Sequence, residues 1–182
     1  MRETRGRRPP VLITKPTFVV AELPDSIAAW VRTSRLAFEP GISHLPAEIT
    51  LAGSSGVGPI VTGQRVDEIQ AKLETALAGR LPVEARFTGV DKFAGTEIYF
   101  ASPAPEPFLT LHVAIARSGV AFAPSPFPYR PHCSLRGLSA LQEDQRAALQ
   151  GLSVPAAPFI VRTVSVYEMD RMQPTLLFST VG

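Results

Sequence analysis

Short apolar runs and three-to-four-spaced stripes alternate along the chain. Residues 17–23 are β-branched and apolar and read as a strand. Ile27, Trp30, Val31, Ser34 and Phe38 then recur at helical spacing, so a helix opens behind Pro24 with Asp25 or Ser26 as its cap and stops at Pro40-Gly41. Residues 48–52 give a second strand that runs into the glycine-rich stretch 53–59. Val66, Ile69, Leu73 and Leu77 mark a second amphipathic helix, ended by Gly79 and Pro82. Residues 83–88 and 96–101 read as a strand pair turned near Asp91 and Gly95, and residues 108–116 as a short helix between Pro107 and Gly119. A proline-rich loop is expected over 121–131, followed by a strand at His132-Cys133-Ser134-Leu135. Ser139-Ala140-Leu141-Gln142 has the form of a capping box, and the helix behind it carries Leu141, Gln145, Ala148, Leu149 and Leu152. Residues 159–167 and 175–180 close the chain as strands.

The order β-α-β-α-β-β-α-β-α-β-β mixes helices with directly consecutive strands, which argues for an α+β domain. Each half places a helix near a short strand that begins after a proline, the outline of a loose internal duplication. At 182 residues the chain predicts one domain and buries enough surface to fold without staples. The single cysteine, Cys133, excludes a disulfide framework and a cysteine-rich zinc site and fits a reducing compartment, so a cytoplasmic location is expected. A net charge of +2 excludes a nucleic-acid coat protein, and no apolar stretch reaches the roughly 18 residues of a membrane span. Residues 1–16 are basic at the start, lack a signal-peptide core, and read as a flexible solvated tail; the alternative is a weak electrostatic arm for RNA or anions.

The segment Tyr129-Arg130-Pro131-His132-Cys133-Ser134-Leu135-Arg136 carries the most chemistry. On a strand, residues two apart share a face, so Arg130, His132, Ser134 and Arg136 point one way and Cys133 and Leu135 the other. An imidazole, a hydroxyl and two guanidiniums on one face can hold phosphate oxygens and move a proton. The alternative is a strand edge with scattered polar residues. The earlier strand has the same grammar: with Glu48 set against His132, Thr50 matches Ser134 and Leu51 matches Leu135.

This pairing resembles the 2H phosphoesterase superfamily, which includes the LigT-like 2′-5′ RNA ligases and cyclic phosphodiesterases. The element order fits that family from about Thr17 to Val181. The resemblance implies a bilobal, pseudo-symmetric α+β fold over residues 17–182, with antiparallel sheets flanked by helices and two His-x-Thr/Ser motifs facing each other across a cleft. It implies metal-independent, cofactor-free cleavage of a 2′,3′-cyclic or 2′-5′ phosphodiester, with a nucleotide or a phosphate-bearing RNA end as partner and the protein a monomer away from membranes. His132 is then the acid–base residue, and Thr50, Ser134, Arg130 and Arg136 bind phosphate. Phe127 and Tyr129 are candidates to stack a base, or else pack a proline-rich loop on the core.

The departure is at the first motif, where Glu48 stands at the family's histidine position. The expectation is that Glu48 acts as base and protonated His132 as acid. The alternative is a catalytically degenerate nucleotide- or RNA-end-binding protein of the same fold. His44 is near the first motif in sequence and either reaches the cleft or is a loop histidine; His112 is expected at a surface or between the lobes. Residues 53–59 lack the Gly-Lys-Ser/Thr ending of a phosphate loop and are expected to be a flexible connector. Cys133 should be a small buried hydrophobe.

Overall fold

The apolar strands of the sequence pair into three antiparallel sheets in a computed structural model, which describes residues 9–137 and 139–182. The first half runs β1 (Thr17–Glu22), α1 (Asp25–Phe38), a 3-10 turn at Pro40–Ile42, β2 (Glu48–Ala52), β3 (Val57–Ile60) and α2 (Val66–Leu77). β4 (Val83–Ala85), β5 (Phe87–Lys92), β6 (Tyr99–Pro103), α3 (Pro105–Ala116), β7 (Phe122–Pro124) and β8 (Cys133–Arg136) follow. The chain closes with α4 (Glu143–Gln150), β9 (Phe159–Val161), β10 (Thr163–Asp170) and β11 (Gln173–Val181). The larger sheet has the order β11-β10-β1-β3-β7, with β2 also paired to β1; the second is β5-β6-β8, and β4 pairs β9. Among the described residues no helix is long and apolar enough to cross a membrane.

Several boundaries differ from the sequence reading. The stretch 53–59 contains most of β3, and the proline-rich loop contains β7, which pairs with it. Each of these strands is short and carries a proline, Pro59 in β3 and Pro124 in β7, which leaves little apolar alternation to read. β5 rather than β4 is the partner of β6, because β4 crosses to β9. The N-cap of α1 is Pro24, and that of α4 is Gln142, whose backbone N–H donates to Gln145 Oε1. The expected tail is shorter than 16 residues. Ile13 is buried in the core, its N–H donates to the Gln64 carbonyl, and Leu12 bridges Arg65. An apolar triplet at 11–13 docks where its backbone finds partners. The start of the tail, residues 1–8, lies outside the described residues.

The internal duplication is present in the strand register. β2 pairs β1 as Ala21↔Ile49, Val20↔Thr50 and Val19↔Ala52, so Leu51 is an extra residue on its strand. β8 pairs β6 as Ala101↔Cys133, Phe100↔Ser134 and Tyr99↔Arg136, so Leu135 is extra in the same way. Both motif strands thus carry a β-bulge at the equivalent leucine, and a glycine follows each strand, Gly53 and Gly137. Glu48 and His132 occupy matching positions two residues before Thr50 and Ser134.

The helices cross between the halves. α1 buries Ile27, Ala28, Val31, Ser34 and Arg35 and packs on β8; α3 buries Phe108, Leu111, His112 and Ile115 and packs on β2. Each buried stripe includes a nitrogen donor that reaches the opposite motif strand. Arg35 Nε donates to the Ser134 carbonyl at 2.9 Å, and His112 Nδ1 to the Leu51 carbonyl at 2.7 Å. β2 and β8 are both terminal in their sheets, and they pack against each other.

The turn before β3 is built around this crossing. Gly56 has φ of 73°, where side chains are disfavoured, and a Cβ there would overlap the His112 ring and crowd Tyr129. Gly56→Ala should therefore destabilise the protein by about 2 kcal/mol or more in urea unfolding. A change below about 0.5 kcal/mol, the range of ordinary surface substitutions, would show that the turn moves aside freely.

Candidate active site

A cavity of about 590 Å³ opens beside β8, lined by Phe93, Phe127, Arg130, His132 and Ser134 and walled by Ser54 and Ser55 of the glycine-rich turn. That turn is a fixed wall rather than a free connector. The Gly56 N–H donates to the Phe127 carbonyl at 2.8 Å, and Ser55 Oγ accepts the Arg130 N–H at 3.2 Å.

His132 stands directly before β8 and is 8% exposed. Its ring meets Phe93 and Phe100 edge-on, with centroids 5.0 and 5.5 Å away. Nδ1 lies 2.8 Å from the Arg130 carbonyl. A carbonyl only accepts, so Nδ1 carries the hydrogen and the neutral ring keeps its lone pair on Nε2. Burial pushes the imidazole below its ordinary value; the bond to the Arg130 carbonyl opposes this, and the Arg130 charge adds to it. His132 is accordingly neutral at pH 7.

Glu48 is half-buried at the start of β2, and Thr50 Oγ donates to its carboxylate oxygens at 3.2 and 3.3 Å. Burial raises the carboxyl to about 7, against the opposing effects of the Arg35 charge and the Thr50 bond. Burial thus acts on both groups towards neutrality, raising the carboxyl and lowering the imidazole, whereas the expectation from sequence is a carboxylate base and an imidazolium acid. Glu48 and Thr50 do not line the cavity that holds His132 and Ser134; they lie on the neighbouring motif strand. Cys133, on β8, is fully buried, and burial pushes the thiol up to about 12, so it is an inert packing residue.

The arginines separate. Arg130 lines the cavity, pairs with Asp91, and lies over the Phe100 and Phe93 rings at 4.7 and 5.7 Å. Arg136 does not share the His132 face. The bulge at Leu135 turns it to the opposite side of the sheet, in register with Tyr99. There it is wholly buried, its guanidinium donating to the Glu97 carbonyl at 2.6 Å, to the Ser139 carbonyl and to the Gly137 carbonyl at 3.3 Å. The expected phosphate-binding role of Arg136 fails for that reason: the guanidinium is shut away from the cavity and its terminal nitrogens are taken by backbone carbonyls.

The aromatic candidates separate as well. Phe127 is 64% exposed at the cavity mouth. Tyr129 has one ring face stacked on His112 at 3.8 Å, and its hydroxyl donates to the Thr50 carbonyl at 3.2 Å. That face cannot take a base, so Tyr129 is a strut between the halves, as His112 is. His44 Nε2 donates to the Met172 carbonyl at 3.0 Å, on the β10–β11 turn. Sequence reasoning missed Phe93 and Phe100 beside His132, and Arg35 between the motifs. Arg35 had a legible signal: it extends the spacing Ile27, Val31 into an apolar stripe, where an unpaired cation is costly.

The raised Glu48 value has a consequence for stability. Between the ordinary value of 4.5 and about 7 the folded chain holds a proton that the unfolded chain releases, so stability falls as pH rises through that window. Glu48→Gln removes the penalty. Its stability relative to the wild type should grow from pH 5 to pH 8.5 by on the order of 3 kcal/mol, read by urea unfolding at both values. A difference independent of pH would mean that the Glu48 carboxyl is ordinary.

The comparisons with known proteins fit this geometry. Among curated proteins none matches. Among solved structures, one described as a phosphoesterase is 17% identical with a TM-score of 0.55, covering 92% of this chain and 97% of its own. E. coli LigT complexed with phosphate is 15% identical with a TM-score of 0.55, covering 93% and 98%. E. coli LigT complexed with 3′-AMP is 19% identical with a TM-score of 0.51, covering 92% and 97%. At these identities the shared property is the bilobal, pseudo-symmetric fold. A family model described as the 2′-5′ RNA ligase superfamily matches residues 23–173, a span that takes in both motif strands and both crossing helices, and the chain belongs to that superfamily.

Proposed function

We propose that the protein is a phosphodiesterase that cleaves a 2′,3′-cyclic or 2′-5′ phosphodiester of a nucleotide or RNA end. The observation that carries this reading is the matched register of Glu48-x-Thr50 and His132-x-Ser134 on two strands that pack together. The superfamily supports phosphodiester chemistry. The LigT complexes with phosphate and 3′-AMP, on the same fold, support a nucleotide-sized anion as ligand.

In the reaction, neutral His132 takes a proton from water through Nε2 as the water oxygen bonds to phosphorus. The ester bond to the ribose oxygen breaks, and protonated Glu48 gives its proton to that oxygen, leaving a monoester. Ser134 and Thr50, whose hydroxyl turns from Glu48 to the ligand, donate their hydrogens to the phosphoryl oxygens, and Arg130 supplies positive charge at the cavity wall. Holding Glu48 protonated also limits the repulsion that an ionised carboxylate would exert on the phosphate. Phe127 offers a ring for the nucleobase.

The pH dependence follows from the roles of the two groups. Activity on a 2′,3′-cyclic nucleotide should rise as His132 loses its proton and fall as Glu48 ionises near 7, giving a bell whose acid limb lies below the ordinary imidazole value. His132→Ala and Glu48→Gln should each cost about 10²-fold or more in kcat. An aryl phosphodiester, whose leaving group needs no proton, should restore much of the Glu48→Gln activity and none of the His132→Ala activity. Turnover unaffected by His132→Ala would overturn the reading, and equal losses of Glu48→Gln on both substrates would assign Glu48 the role of base. A folded wild type without turnover that still binds nucleoside monophosphate would identify a binding protein of the same fold.

A further inference from the structure

Arg35 is 2% exposed on α1, which belongs to the first half of the duplication, yet its guanidinium reaches into the second. Nε donates to the Ser134 carbonyl at 2.9 Å, within the second motif. One terminal nitrogen donates to the Leu45 and Pro46 carbonyls at 2.9 and 3.1 Å, in the segment that leads into the first motif at Glu48. One planar cation therefore ties the entry to β2 to the start of β8. Lysine could not reproduce this, because the donors diverge in a fixed fork.

We propose that Arg35 is a positioning residue for both motifs, holding the Glu48 and His132 strands in register and fixing the buried surroundings of Glu48 through its fork of backbone hydrogen bonds. The proposal rests on the phosphodiesterase reading for its bearing on rate. Other titratable groups also face Glu48. Glu22 is its cross-strand partner on β1, with its carboxylate accepting from Ser165 and Tyr167. The Tyr167 hydroxyl on β10 and the Tyr129 hydroxyl before β8 both feel the Glu48 charge, and Cys133 lies on β8. Arg35 is the cation among them, and its charge opposes the upward effect of burial on the Glu48 carboxyl.

The test reads Glu48 directly. With carboxyl-¹³C glutamate, its resonance is identified by its loss in Glu48→Gln and followed through pH. In Arg35→Met the carboxyl should titrate about one pH unit or more above the wild type. The alkaline limb of the pH–rate profile should move by the same amount, with kcat falling more than KM rises. Arg35→Lys keeps the charge without the fork; its Glu48 should titrate close to the wild type while kcat falls about tenfold or more from misplacement. If Arg35→Met does not fold, Arg35→Gln, which keeps a donor but no charge, should show the same upward shift. A folded Arg35→Met or Arg35→Gln whose Glu48 titrates as in the wild type overturns the proposal, as does failure of all three variants to fold, which would make Arg35 a folding residue alone. An inactive wild type would sink the phosphodiesterase reading and leave the Arg35 assignment to the titration, which needs no turnover.

Discussion

The packing of β2 against β8 is the constraint on which the rest of the molecule depends. Each strand ends its own sheet and would otherwise present open backbone. They are joined by parts of the opposite half: α1 reaches β8 through Arg35, and α3 reaches β2 through His112. Tyr129 then stacks on His112 and bonds the Thr50 carbonyl, a further tie across the same line. Residues that join the halves so closely cannot move without moving a motif. That is why a turn as remote in sequence as Gly56 packs against the His112 ring.

The same crossing produces the electrostatics. Glu48 and His132 are held where water is scarce, and burial acts on both in the direction of neutrality, raising the carboxyl and lowering the imidazole. A neutral acid beside a neutral base is a suitable resting state for a site that receives an anion. Arg35 moderates the first effect, and the Arg130 carbonyl moderates the second while fixing the tautomer. The roles proposed for the two groups thus rest on burial, which a reading by residue type, with carboxylate as base and imidazolium as acid, leaves out.

Much of this was legible in the sequence because it rests on short-range periodicity. The stripes of α1 and α2 and the alternation in residues 48–52 and 132–135 give the α+β class and place Thr50 and Ser134 beside Glu48 and His132. What the sequence hid depends on tertiary register. Arg136 has the parity of His132 on paper, and the bulge at Leu135 reverses it. Tyr129 has the composition of a stacking platform, and a histidine 17 residues upstream in sequence covers it. Residues 53–59 look like a connector because the Phe127 carbonyl that orders them belongs to a loop some 70 residues away. Arg35 was visible as a cation in an apolar stripe, but its partners are carbonyls, which no side-chain pattern reveals.

The central claim is that the two motifs form one phosphate site although the cavity beside β8 includes only the second. A crystal structure of the protein with a nucleoside 2′-monophosphate tests it most directly. The account predicts phosphate oxygens within about 3 Å of Thr50 Oγ, Ser134 Oγ and His132 Nε2 together, with the base against Phe127. A phosphate bound by Ser134 and His132 alone, with Glu48 and Thr50 beyond hydrogen-bond reach, would contradict it.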